Sequence, residues 1–204
     1  ATAPVVSRDQ ALGESPRIAI DTPRVKGSIR LVGGLIDDIQ LQDYRETEDP
    51  NSQRIHVLNP AGSDNAYFGE FGWVAGKDTK VKLPDNQTRW TADNQTLTPD
   101  HPVTLSWNNG EGLTFTRQIA IDKNYLFTVK QSVKNDSGQE VTLYPYGLIS
   151  RKGKPQTSGY YILHEGPIGV IDGSLKEPSY KDLMEEDGTE RKSKRPNPRH
   201  PATP

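Results

Sequence analysis

The chain of 204 residues has no cysteine. Disulfides and cysteine-based metal sites are therefore excluded, and the redox compartment stays open, a domain outside the cytoplasm included. Apolar runs are also missing: none approaches the roughly 20 residues that cross a bilayer. No signal-peptide pattern stands at the start, and the first residue is Ala1 rather than methionine, which reads as a cut-out fragment. Neither sign of charge prevails, with 25 Lys and Arg against 27 Asp and Glu and a formal net charge of -2. That balance gives no reason to expect a nucleic acid partner. Hydrophobic residues make up only 32% of the chain and charged residues 25%. The apolar residues nevertheless fall in patterned clusters, so the chain as a whole does not read as disordered. Its length suits one large β domain or two small domains.

What is present is a succession of strand signals separated by turn residues. "RIAID", "RVKGSIRL", "GLIDDIQLQDY", "RIHVL", "AYFGEFGWVA", "VTLSWNN", "GLTFTRQIAID", "YLFTVKQSVKN" and "EVTLYPYGLISR" follow one another, broken by "DPNSQ", "NPAGSDN", "LPDNQ" and "NNGEG". No helical stripe of comparable length competes. The pattern is all-β, a sandwich or a barrel. Residues 1–16 read as a linker, 17–187 as the folded domain, and 188–204 as a disordered or non-native tail. "GKPQTSGYY" reads as a loop, "YYILHEGPIGVIDGSLKE" as two or three short strands, and "SYKDLMEED" as one or two helical turns.

Two hairpins are specific enough to predict register. In "GSIRLVGGLIDDIQL" the apolar residues Ile29, Leu31, Leu35, Ile39 and Leu41 are all odd-numbered. A three-residue loop around Gly33-Gly34 pairs odd with odd and gathers them on one face. Asp37 interrupts that face, and is expected at the rim, or paired with Arg30 if the turn is shorter. In "LTFTRQIAIDKNYLFTVKQSV" a three-residue Asp122-Lys123-Asn124 loop pairs Ile121 with Tyr125 and Ile119 with Phe127. Asparagine tolerates the left-handed conformation such a loop wants. Arg117 then falls opposite Val129, its stem packed and its head at an edge.

Residues with chemical potential are scattered. His56, His101, His164 and His200 stand outside metal-motif spacing of one another. "HEGPI" at 164–168 begins like a helical zinc motif but ends in Ile168, and Pro167 would break the helix. Asp37-Asp38 and Glu185-Glu186-Asp187 read as solvated turns. Tyr67, Phe71 and Trp73 share one face of a strand around Gly69, as core or as a stacking platform for sugar or peptide; Trp90 and Trp107 are isolated. The sequons at Asn86, Asn94 and Asn135 read as chance in an Asn-rich, cysteine-free chain. No catalytic, cofactor or metal residue is assigned.

In order and spacing, "TPRVKGSIRLVGGLIDDIQLQDY", "AYFGEFGWVAG", "GLTFTRQIAIDKNYLFTVKQSVKN" and "YGLISRKGKPQTSGYYILHEGPIGVIDGSLKE" resemble the large periplasmic domain of the YidC membrane protein insertases, over about residues 17–183. The resemblance implies a β-supersandwich like that of galactose mutarotase, with a short C-terminal helical segment. It implies a soluble piece of a multi-pass protein at the periplasmic face of the bacterial inner membrane. It further implies a non-catalytic docking domain that meets nascent membrane proteins, with SecDF and the Sec translocon as partners and no cofactor. After "YKDLMEEDG" a tryptophan-containing return to the membrane is expected, and "TERKSKRPNPRHPATP" stands there instead. Two other classes stay open, a mutarotase-like sugar epimerase and a carbohydrate-binding module. An epimerase of that type needs a histidine and a carboxylate in one cleft. His164-Glu165 is the only adjacent histidine–glutamate pair, and neighbours on a regular strand face opposite ways.

Overall fold

The computed structural model describes residues 6–155 and 164–185. The chain divides into two compact units, Ala1–Lys152 and Gly153–Pro204. The first unit is the β-sandwich expected from the alternating pattern. Its strands are β1 (Arg17–Asp21), β2 (Val25–Arg30), β3 (Ile36–Arg45), β4 (Arg54–Leu58), β5 (Tyr67–Ala75), β6 (Thr91–Ala92), β7 (Thr96–Leu97), β8 (Val103–Asn108), β9 (Leu113–Ile121), β10 (Phe127–Asn135) and β11 (Leu143–Arg151). One sheet runs β11-β5-β3-β2-β1-β7, with β4 also on β3; the other runs β10-β9-β8-β6. Alternation sends one face of each strand inward. Ile18, Ile20, Val25, Ile29, Ile36, Ile39 and Trp73 from the first sheet thus meet Val103, Leu105, Leu113, Phe115, Ile119 and Ile121 from the second in one core.

Before β1, where the sequence reads as linker, residues Arg8–Gly13 form a short helix, α1. Ser7 caps it in a box with Gln10, each side chain meeting the other's backbone N–H. Ala11 is the helix residue that is fully buried.

Both hairpins depart from the predicted loop length. In the second, Ile121 pairs with Phe127, Ile119 with Val129 and Arg117 with Gln131, so the loop is Asp122–Leu126. Asp122 Oδ1 accepts from the backbone N–H of Asn124 at 2.7 Å and of Leu126 at 2.8 Å, which closes this longer turn. Tyr125, not Asn124, takes the left-handed conformation, at φ +73°. The register moves by two residues, so parity is kept and the odd-numbered residues still share the inner face.

In the first hairpin parity is not kept. Ile29 pairs with Ile36, while Gly27 pairs with Ile39 and Val25 with Leu41. Asp37 is the extra residue of a β-bulge. The bulge resets the phase, so even-numbered Ile36 and odd-numbered Ile39 both reach the core, and Asp37 and Asp38 are both buried. Gly27, at φ +155°, lies against the carbonyl of Asp38, where any Cβ would collide.

The second unit holds a hairpin of β12 (Gly169–Ile171) and β13 (Ser174–Lys176), then α2 (Tyr180–Glu185), the expected C-terminal helical turns. Ser179 and Asp182 cap α2 reciprocally: the N–H of Asp182 donates to Ser179 Oγ and that of Ser179 to Asp182 Oδ2, each at 3.1 Å. The 188–204 tail and much of "GKPQTSGYY" lie outside the described residues, as do Glu186 and Asp187.

Candidate functional site

The turn from Leu31 to Leu35 makes the first wall of a recess. Gly33 and Gly34 are both left-handed, at φ +80° and +65°. Their conformation lays the chain against residues 88–90: Gly33 N–H donates to the Thr88 carbonyl at 2.8 Å, and Trp90 N–H to that of Leu31 at 2.9 Å. The facing turn is set by Asp85, whose Oδ1 accepts from the Thr88 hydroxyl at 2.8 Å and the Gln87 N–H at 3.0 Å. Those bonds hold the Asp85 carboxyl below its ordinary pKa, the Thr88 hydroxyl contributing most.

Arg117 fills the floor. Its place among the inward odd-numbered residues of β9 buries it, at 1% exposure. Nη1 donates to the Gly34 carbonyl at 2.6 Å and Nη2 to the Phe71 carbonyl. The guanidinium lies 4.8 Å from the centre of the Trp90 ring and 5.9 Å from that of Phe71. Burial pulls its pKa down to about 10, with Tyr146 and Glu70 acting in the opposite direction. At the mouth, the Tyr146 hydroxyl donates to Glu70 Oε1 at 2.6 Å. Burial first, and then Glu70, push the Tyr146 phenol up to about 12. Both groups therefore keep their protons near neutrality.

The space lined by Gly33, Glu70, Trp90, Arg117 and Tyr146 measures about 20 Å³. About 10–15 Å³ admits one water, so the recess takes a single small group and not a sugar ring. Among the described residues, no histidine lines it.

The sequence-predicted residues lie elsewhere. The aromatic stripe is core where it matters most: Trp73 is buried, 5.1 Å edge-on to Phe115 and 6.3 Å from a stacked Trp90. Tyr67 lies under the Arg151 guanidinium at 4.8 Å. Trp107 packs on Phe115 at 5.7 Å.

Asp37-Asp38, read as a solvated turn, is instead a buried ionic cluster. Asp37 pairs with Arg17 and Asp38 with Arg8 of α1. Ser28 Oγ joins them, accepting from Arg17 Nε at 2.7 Å and donating to Asp38 Oδ2 at 2.6 Å. Arg30, the alternative partner expected for Asp37, acts on it only through its charge. Burial raises the Asp37 pKa despite Arg17. His56, on β4 beside this cluster, has its Nε2 3.2 Å from Gln40 Nε2. Burial, then the charge of Arg8, lower its pKa.

His101 is exposed in a turn with Thr98. His164 and Glu165 lie outside regular strand, so the opposite-faces argument does not apply to them. Glu165 pairs with Lys154 at 3.2 Å. His200 lies outside the described residues. Among the described residues, no group of three or more His, Asp or Glu is placed to hold a metal ion. Sequence reasoning missed the roles of Arg117 and Asp37, although both carried a signal: a charge at an inward position of an alternating strand.

Fold and recess together define a β-sandwich domain whose two sheets are fastened by a buried arginine. Comparison with known proteins gives the family. A family model described as the YidC periplasmic domain matches residues 17–198. The chain is 55% identical over 183 residues to the membrane protein insertase YidC of Bradyrhizobium diazoefficiens, covering 89% of this chain and 30% of that protein. It is 52% identical over 182 residues to that of Methylobacterium nodulans, with the same coverage of each chain. With that of Granulibacter bethesdensis it shares 50% over 168 residues, 82% of this chain and 29% of the relative. The chain belongs to the YidC periplasmic domain family, as its motifs suggested. It spans about 30% of the length of these relatives.

Proposed function

We propose that this chain is a non-catalytic contact domain of a membrane protein insertase, held at the periplasmic face of the inner membrane by the rest of a longer polypeptide. The observation that carries the reading is family membership across residues 17–198. The domain meets nascent membrane proteins, and SecDF and the Sec translocon dock on it. Partners tethered to one membrane already meet at high effective concentration, so weak contacts suffice. Affinity in solution is expected no tighter than micromolar, about -8 kcal/mol. The recess supports a contact role over a sugar-converting one. Its arginine is bonded to backbone carbonyls, no histidine among the described residues lines it, and a sugar ring exceeds its volume.

The test is site-specific photo-crosslinking from outward positions such as Thr128 and Leu148, in the full-length protein in its membrane, while a client is being synthesised. Adducts with the client or with Sec components support the reading. Their absence from every outward position overturns it. So does polarimetric interconversion of α-glucose or α-galactose well above the buffer rate that is lost in His164→Ala.

A further inference from the structure

Two nine-residue strands end the sheets of the first unit, β10 and β11, and they are guarded differently. β10 exposes Lys130 and Lys134, a common protection against strand addition. β11 reads LYPYGLISR and carries no charge before Arg151. Among the described residues β11 pairs only with β5. Its protection is Pro145, which has no N–H to offer an incoming strand. That leaves the half from Gly147 to Arg151 open.

The chemistry of this half-strand is specific. Leu148 and Ile149 are neighbours, so they point to opposite faces, yet they are 41% and 69% exposed. Ile149 stands opposite Gly69, which supplies no side chain to cover it. Gly147 stands opposite Phe71, whose ring would lie only 3.0 Å from an added Cβ. A docked chain therefore finds apolar surface on both faces. An amphipathic strand would satisfy one face only, and β11 itself offers a charged strand no counter-ion before Arg151; Glu70, opposite Leu148 on β5, already accepts from the Tyr146 hydroxyl.

We propose that the Gly147–Arg151 edge of β11 accepts, by strand addition, an extended peptide that is apolar at consecutive positions. That is the chemistry of a membrane-crossing segment before it has formed its helix. The proposal rests on the contact-domain reading and names where and how the contact is made. Main-chain hydrogen bonds supply the attraction, and the exposed Leu148 and Ile149 on opposite faces supply the selectivity. Five residues form only a few such bonds, so the contact is weak and reversible.

The experiment is titration of the isotopically labelled 204-residue chain with a synthetic peptide of five consecutive Leu and Val residues flanked by lysines. Backbone amide shifts and hydrogen exchange are read together. Saturable binding with slowed exchange at Gly147–Arg151 is expected, weakened about tenfold or more by Ile149→Lys or Leu148→Lys. Both side chains are exposed, so these variants keep the fold, which the unchanged remainder of the spectrum checks. The same peptide N-methylated at alternate residues keeps its side chains but cannot add as a strand, and should not bind. Equal binding of the N-methylated peptide overturns the proposal. Shifts that map to another surface overturn it while leaving the contact-domain reading intact, and no binding anywhere counts against both. Protection at these amides that rises with protein concentration in the absence of peptide assigns the edge to a second copy, and also overturns it.

Discussion

Arg117 and Gln131 stand directly opposite each other on β9 and β10, and both reach across to β5, where they donate to the successive carbonyls of Phe71 and Gly72. β3 pairs with β5 only at Gly69, so beyond that point the Phe71 carbonyl on that edge has no strand donor, and a buried carbonyl without a donor is costly. Arg117 supplies that donor from the other sheet, while the Gly72 carbonyl, on the edge that pairs with Tyr146 of β11, gains Gln131 as a further donor. Arg117→Met should therefore destabilise by about 2–4 kcal/mol, because it strands the carbonyls of Gly34 and Phe71. Gln131→Ala should cost about 1 kcal/mol. The double variant should depart from additivity by about 0.5 kcal/mol or more, since the two share one strand of acceptors. Urea unfolding of the four proteins measures this, and strict additivity would separate the two roles.

Gly34→Ala should be among the most damaging single-methyl additions. Its Cβ would stand 2.5 Å from Arg117 Nη1 and 3.0 Å from Trp90 Nε1, at a φ of +65° that alanine adopts reluctantly. Strain of about 1–3 kcal/mol is expected from the backbone alone. Gly62, also left-handed but with nothing within 4 Å, is the control for conformation without collision. If Gly34→Ala and Gly62→Ala unfold at the same urea concentration, the Arg117 contact is not what constrains the turn.

Asp37 and His56 should tilt stability in opposite directions with pH. The raised pKa of Asp37 means the folded state binds its proton more readily than the unfolded state. Its contribution is fully present below the unfolded value of about 3.8 and is lost as pH rises through the folded value. The lowered pKa of His56 means its contribution is present above about 6.5 and is lost as pH falls through the folded value. Thermal unfolding from pH 3.5 to 7.5 should show the stability of the natural chain relative to Asp37→Asn increasing as pH falls. Relative to His56→Gln it should decrease. A flat Asp37→Asn difference would show that Arg17 cancels the effect of burial.

Ile119→Ala and Phe127→Ala test the second hairpin. Ile119 is fully buried, so a loss of about 2–5 kcal/mol is expected. Phe127 is only half-buried, at the loop end of β10 opposite Ile121, and should cost less than the 3–5 kcal/mol of a fully buried ring. Chemical denaturation ranks the pair, and a larger loss at Phe127 would contradict the observed register.

Removal of residues 189–204 should leave the thermal midpoint within a degree or two, since about 1 kcal/mol moves a domain of this size by roughly 2–4 °C. The motive is the composition of "RKSKRPNPRHPATP", which is basic and proline-rich with no apolar stripe. A larger fall would mean that the segment packs against the fold, in keeping with a family match that continues to residue 198.

Period-two alternation determined the all-β class, the order of the main strands and most inward residues, because side-chain direction along a strand is a local property. In the β9–β10 hairpin that was enough: the loop proved two residues longer, and every residue kept its face. Where the backbone broke the period, local reading failed. The bulge at Asp37 depends on Gly27 admitting the Asp38 carbonyl from the neighbouring strand, a contact across the hairpin that alternation along one strand does not encode. The recess was equally hidden. Gly34, Phe71 and Arg117 are separated by tens of residues, and only the packing of one sheet on the other places one guanidinium between the two carbonyls. A buried charge is tolerable only where partners converge, and that convergence is a property of tertiary structure. The sequence held the anomaly, an arginine in an inward row of β9; the fold supplied the acceptors that make it structural.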